Sequence, residues 1–84
     1  MIYLATPYSH PDPEVMKARF RQACRIAGEL MLAGKVVYCP IAHTHAIAEE
    51  TGIDRTWEFW ERFDRPFIEV CTEVCVAKMD GWEF

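Results

Sequence analysis

Long apolar runs and an excess of basic residues are both missing from this sequence of 84 residues. No stretch reaches the roughly 18 consecutive apolar residues typical of a membrane span, so we expect no membrane partner. Lys and Arg number 9 against 13 Asp and Glu, and this net charge of −4 disfavours nucleic-acid binding. The N-terminus carries neither a basic segment nor a long apolar one, which predicts a cytoplasmic protein.

Phosphate-binding glycine loops and paired metal-ligand motifs are also missing. Neither G-x-G-x-x-G nor G-x-x-x-x-G-K-[ST] occurs, which disfavours a large nucleotide held by its phosphates. The cysteines are Cys24, Cys39, Cys71 and Cys75. A zinc site from Cys39, His43 and His45, or from the last two cysteines, is an alternative, but no clean ligand pair supports it. We therefore predict reduced, core-type thiols, no metal and no cofactor.

The first half of the chain has the pattern of a βαβ unit. Met1–Ala5 is a short apolar run typical of a buried strand. Asp12 is a predicted N-cap, and apolar residues at helical spacing predict a helix over Pro13–Ala33, ended by Gly34. Lys35–Cys39 predicts a second strand, and the helical crossover makes the two strands parallel.

The second half has weaker periodicity. Residues 41–54 are predicted as a loop with a short helix at Ala46–Glu50, and Asp54 as the cap of a helix over Arg55–Phe63. The Asp64-Arg65-Pro66 segment is expected to kink or restart that helix, with a short helical segment that extends to Cys71. Glu73–Met79 predicts a third strand, followed by a turn at Asp80-Gly81. The fold class is therefore α/β with an open parallel sheet, whose exposed edges a second copy or further elements would complete.

Candidate site residues follow each predicted strand, at the edge where open parallel sheets bind ligands. The segment after the first strand holds Thr6, Pro7, Tyr8, Ser9 and His10. The segment after the second strand contains His43 and His45, and the third strand is followed by Gly81 and Trp82. We expect these three segments to converge on one crevice.

Each candidate has a functional and a structural interpretation. Tyr8 and Trp82 would stack on a flat ring, or Tyr8 would only plug the end of the sheet. Arg19 would contact an anion that the positive end of the first helix favours, or be a solvated charge. Asp64 is a helix cap or a polar group directed at the site. Glu73 would support a sugar hydroxyl or be solvated. These chemistries favour a nucleoside or a mononucleotide.

The order and spacing of several segments resemble a known family. They are Tyr3–His10, Arg19-Phe20, Gly34–Ile41, His43–His45, Trp60, Asp64 and Gly81-Trp82-Glu83. Together they resemble a small bacterial and phage family similar to the nucleoside 2-deoxyribosyltransferases. The resemblance implies a flavodoxin-like fold, cleavage or transfer of an N-glycosidic bond, a glutamate nucleophile, and neighbouring subunits that help to build the pocket. The family's nucleophile motif would follow the GWE segment, so we expect a single domain over residues 1–84, shortened at its C-terminus.

Three functional hypotheses follow. The first, which we favour, is a protein that binds a nucleoside or nucleotide, has no catalytic glutamate in this chain and forms a homo-oligomer. The second is an N-glycosidase completed by another chain. The third is a non-enzymatic interaction module that oligomerises through its unfinished sheet. Polar clusters after all three strands disfavour the third hypothesis, because a scaffold has no need of them.

Overall fold

A computed structural model describes residues 1–53 and 56–82. Its elements are β1 (Ile2–Ala5), α1 (Pro13–Leu32), β2 (Val37–Tyr38), α2 (Pro40–Thr51), α3 (Trp57–Val70) and β3 (Glu73–Val76). The three strands form one sheet in the order β2-β1-β3, and β1 pairs in parallel with both neighbours. This flavodoxin-like α/β topology confirms the predicted fold class.

The core lies between β1 and α1. Leu4 is fully buried, and it faces Ala23 and Ala27, the two buried residues of α1. Alanines allow the helix to approach the sheet closely, and burying a leucine side chain stabilises the fold by roughly 1.5–3 kcal/mol. Cys39 and Met79, from the segments after β2 and β3, close the same cluster.

Helix α1 is capped at both ends as the sequence predicts. The Asp12 carboxylate accepts a hydrogen bond of 2.9 Å from the backbone N–H of Glu14. At the other end, Gly34 has φ +87°, and its N–H donates to the Met31 carbonyl. The N–H of Lys35 donates to the Leu30 carbonyl, which completes a Schellman motif. The helix therefore ends within one residue of its predicted boundary.

The strands are shorter than predicted. β2 covers two residues instead of the five of Lys35–Cys39, because it pairs only with β1 and Pro40 begins a helix directly after it. β3 ends at Val76 rather than Met79, although the N–H of Ala77 still donates to the carbonyl of Ala5 at 2.9 Å.

Helices α2 and α3 correct two predictions. The segment predicted as a loop with a short helix at Ala46–Glu50 is one continuous helix, α2, with Pro40 in its first turn and Gly52 at φ +71° after its end. Its pattern is hard to recognise because neighbours contact it on more than one side. The helix predicted to kink or restart at Asp64-Arg65-Pro66 is one element, α3, which runs through Pro66 because a proline removes only one backbone donor. It ends at Val70, one residue before the predicted limit at Cys71. The predicted cap Asp54 and the predicted start Arg55 lie outside the described residues.

The cysteines are free thiols in different environments. Cys39 is buried and Cys24 and Cys71 are half-buried, in keeping with core-type residues. Cys75 is exposed on the edge strand β3, which contradicts the prediction for that residue. Within residues 1–53 and 56–82, no three His, Cys, Asp or Glu side chains are grouped to hold a metal ion. Nor is any helix in that part of the chain long and apolar enough to cross a membrane.

Candidate functional site at the carboxyl edge of the sheet

Arg19 joins the segments that follow β1 and β3. Its guanidinium donates to the Ser9 carbonyl at 2.9 Å and to the Tyr8 carbonyl at 3.4 Å. A Cβ atom placed on Gly81 would lie 2.9 Å from Arg19 Cζ, so the Gly81 backbone lies directly against the guanidinium. These contacts give Arg19 a positioning role, since its hydrogen bonds go to backbone carbonyls.

The N-terminus of α1 is already occupied by protein carboxylates. Asp12 accepts the Glu14 N–H and Glu14 lies in the first turn, so two negative charges offset the positive end of the helix dipole. The expectation of an anion site there therefore does not follow from the structure. His10, exposed in the same loop, accepts a 3.0 Å hydrogen bond at Nδ1 from the Asp12 N–H.

Helix α2 directs its two histidines to opposite sides. Residues two apart on a helix are separated by about 200° around its axis. His45 contacts Tyr8 and α1, whereas His43 lies near Tyr38 of β2 and Phe67 of α3. The predicted site residues are therefore divided between two places, one on each side of α2.

The first place is a line of three side chains that we call the His45 relay: Tyr8, His45 and Glu49. The Tyr8 hydroxyl lies 2.7 Å from His45 Nδ1, and His45 Nε2 lies 3.0 Å from Glu49 Oε2. The second contact is a close polar approach that is not aligned as a hydrogen bond. Phe20 of α1 stacks on the imidazole with ring centroids 4.1 Å apart. Burial, together with the nearby Glu49 carboxylate, raises the pKa of Tyr8 and keeps its phenol protonated.

The second place is a polar and aromatic group that we call the Asp64 cluster: Tyr3, Tyr38, His43, Asp64 and Phe67. Tyr38 stacks on Phe67 with centroids 4.1 Å apart and planes within 5°. The Tyr3 ring lies 5.9 Å from the Tyr38 ring, because the two residues are register partners on adjacent strands. His43 lies 6.0 Å from Tyr38 on the side of α2.

Two polar atoms of the Asp64 cluster are buried without a hydrogen-bond partner, Asp64 Oδ1 and the Tyr38 hydroxyl. Burial raises the pKa of Asp64, and the neighbouring His43 partly opposes this change. Burial, followed by the Asp64 charge, raises the pKa of Tyr3 and of Tyr38 to about 12. The cluster thus combines an unpaired hydrogen-bond acceptor and neutral phenols with the stacked aromatic pair of Tyr38 and Phe67. Perturbed groups of this kind are typical of ligand sites.

The other predicted residues lie around these two places. Pro7 is buried, and the half-buried Thr6 has a shielded Oγ1 without a hydrogen-bond partner. Trp82 is half-buried, with Lys78 Nζ 5.4 Å from its ring centroid, whereas the Tyr8 ring meets His45 edge-on. The two rings predicted to bracket a ligand therefore have different neighbours. Glu73 is exposed at the start of β3, and Glu83 lies outside the described residues.

Sequence reasoning did not select Tyr3, Tyr38, Phe67 or Glu49. A signal for the tyrosines was present, because each stands in a short strand that otherwise reads as fully apolar. Phe67 and Glu49 gave no comparable signal. Their importance comes from which side of α3 and α2 faces the neighbouring elements, and helix rotation is a tertiary property.

The fold and the carboxyl-edge site define a small flavodoxin-like α/β protein with a candidate ligand site. The chain belongs to the family described as domain of unknown function DUF1937, whose model matches residues 1–84. A comparison with curated proteins gave no match. The resemblance to nucleoside 2-deoxyribosyltransferases therefore stays a prediction.

Proposed function

We propose that this protein binds a nucleoside-type ligand at the Asp64 cluster. The observation that carries the proposal is the pair of buried, unpaired polar atoms, Asp64 Oδ1 and the Tyr38 hydroxyl, beside a stacked aromatic wall. An unpaired buried polar group costs roughly 1–3 kcal/mol, and a ligand that supplies the missing partner recovers this energy. A sugar hydroxyl is a suitable donor for the carboxylate, and a base offers a planar face and acceptors for the phenols.

Charge favours a nucleoside over a nucleotide. The N-terminus of α1 is capped by Asp12 with Glu14 beside it, and the Arg19 guanidinium is engaged by backbone carbonyls. A phosphate placed near Asp64 would also meet a negative carboxylate whenever that group is ionised. We therefore expect nucleosides to bind more tightly than their 5′-monophosphates.

Isothermal titration calorimetry tests the proposal with nucleosides, 2′-deoxynucleosides and mononucleotides. Asp64→Asn should weaken binding by about tenfold or more, because a hydrogen bond to a charged group contributes roughly 1.5–3 kcal/mol. Tyr38→Phe should weaken binding less. Glu69→Gln removes a charge from an exposed position of the same helix and should leave binding unchanged. No heat with any of these compounds, or equal affinity of Asp64→Asn and the original protein, would overturn the proposal.

Turnover is a separate arm of the same experiment. The resemblance implies cleavage of an N-glycosidic bond by a nucleophilic glutamate. Chromatography of the titration mixtures detects any free base. Released base supports an N-glycosidase, whereas binding without release supports a ligand-binding protein.

A second candidate function, an oligomerising interaction module, is favoured by one observation. Exposed apolar side chains of α3 and β3 lie close in sequence: Phe63, Ile68, Val70, Val74 and Val76. Surfaces of this kind mark interaction sites in many proteins. Light scattering tests the candidate, since a monomer at micromolar concentration counts against it.

A further inference from the structure

The pocket between α1 and α2 is not used by the proposed nucleoside site, because α2 lies between this pocket and the Asp64 cluster. The pocket is shallow and largely open to solvent, and it has a volume of about 320 Å³. Tyr8 and His45 line it together with the apolar residues Met16 and Ala48. Its size falls at the lower end of the range for small-molecule sites, roughly 300–1,000 Å³.

The His45 relay places the Tyr8 hydroxyl at this pocket. The His45 side chain is 10% exposed, and its Nδ1 lies 2.7 Å from the Tyr8 hydroxyl oxygen. A hydroxyl oxygen has two lone pairs, so it keeps at least one for another group whichever of the two atoms carries the shared hydrogen.

The charges around the pocket are mostly negative. Glu14 and Lys17 of α1 and Glu49 of α2 line it, which is two carboxylates against one ammonium. With the Tyr8 oxygen, the polar lining accepts more hydrogen bonds than it donates. We propose that this pocket binds a small organic cation, an amine carried on an apolar or aromatic group, whose ammonium donates to the Tyr8 oxygen and to Glu49.

The groups that face His45 are Tyr8 from the loop after β1, Phe20 from α1 and Glu49 from its own helix, with Glu14 and Lys17 across the pocket. These contacts hold the Tyr8 hydroxyl at the edge of the pocket.

The first test compares benzylamine with the neutral benzyl alcohol and the anionic benzoate by NMR titration at a pH of about 8. Only benzylamine should shift signals of the pocket residues. Glu49→Gln should weaken its binding by about two- to fivefold, as expected for a lost contact to a carboxylate that is 59% exposed. Glu50→Gln is the matched control, because this neighbouring glutamate is exposed on the same helix. Equal binding of the three compounds, or equal losses in the two variants, overturns the proposal.

The second test separates this pocket from the proposed nucleoside site. Asp64→Asn should bind benzylamine as tightly as the original protein, because Asp64 lies on the other side of α2. A loss of benzylamine affinity in Asp64→Asn as large as the loss in Glu49→Gln overturns the proposal.

Discussion

The Asp64 carboxylate should destabilise the ligand-free protein, so Asp64→Asn should raise its melting temperature at neutral pH. Asp64 Oδ1 is shielded from solvent and has no hydrogen-bond partner, while the residue as a whole is only half-buried. An unpaired buried polar group costs roughly 1–3 kcal/mol, and partial exposure places Asp64 near the lower limit, at about 1 kcal/mol. In a domain of this size that energy corresponds to roughly 4–8 °C in Tm.

The pH dependence has a defined sign. Burial raises the pKa of Asp64 in the folded protein. A carboxyl group whose pKa is raised by folding contributes stability that is fully present below its pKa in the unfolded chain, about 3.9. This stability is lost as the pH rises through the pKa of the folded protein. The melting temperature of Asp64→Asn should therefore exceed that of the original protein most clearly at neutral pH, and the difference should shrink toward zero in acid.

Differential scanning calorimetry measures both effects, with Glu69→Gln as the exposed control on the same helix. The control should change the free energy of unfolding by less than about 0.5 kcal/mol. A lower melting temperature for Asp64→Asn at neutral pH would refute the reasoning, since it would mean that the carboxylate has a stabilising partner within the protein.

Three further predictions concern stability, measured by urea denaturation. Gly81→Ala and Gly34→Ala each place a side chain at positive φ, so each should lower the free energy of unfolding by about 1–2 kcal/mol. For Gly81→Ala the loss should be about 1 kcal/mol larger, because the added Cβ displaces the Arg19 guanidinium. Equal losses would show that Arg19 moves away freely. Gly28→Ala should stabilise the protein by about 0.5–1 kcal/mol, since nothing lies within 4 Å of the added Cβ inside α1, and a loss would contradict that open space. Leu4→Ala should cost about 2–5 kcal/mol, and a change below 1 kcal/mol would mean that Leu4 is not the centre of the core.

The parts of the fold that follow from the sequence are those with local signals. The ends of α1 follow from capping residues, which are Asp12 and Pro13 at the start and Gly34 at the end. The short apolar run of β1 predicts a buried strand with a neighbour on each side. Helix α2 is harder to predict from the sequence. Pro40 and Gly52 mark its ends, but its apolar residues do not follow one face. At Pro66 the sequence favours a kink or a restart, whereas α3 continues through it, because a proline removes only one backbone donor.

The convergence of loops at the carboxyl edge follows from parallel strands, and the contact of Arg19 with the segments after β1 and β3 agrees with it. The division of His43 and His45 between two places does not follow from the sequence, because it requires knowing that both stand on one helix. Asp64 was a candidate from the sequence, but its unpaired oxygen depends on how α3 packs over Tyr38.

The position of Asp64 also distinguishes the two candidate functions. By strand register, Val74 and Val76 lie on the same face of the sheet as Tyr3, and both are more than half exposed. The Asp64 cluster is therefore next to an open apolar surface. An occupant that covers the cluster with apolar groups alone would bury the carboxylate further and raise its cost. An occupant with hydroxyl donors over Asp64 and a planar group over the apolar surface avoids that cost, and a nucleoside has both. If a second copy of the chain covers this face instead, Asp64→Asn should tighten the association, whereas it should weaken the binding of a nucleoside.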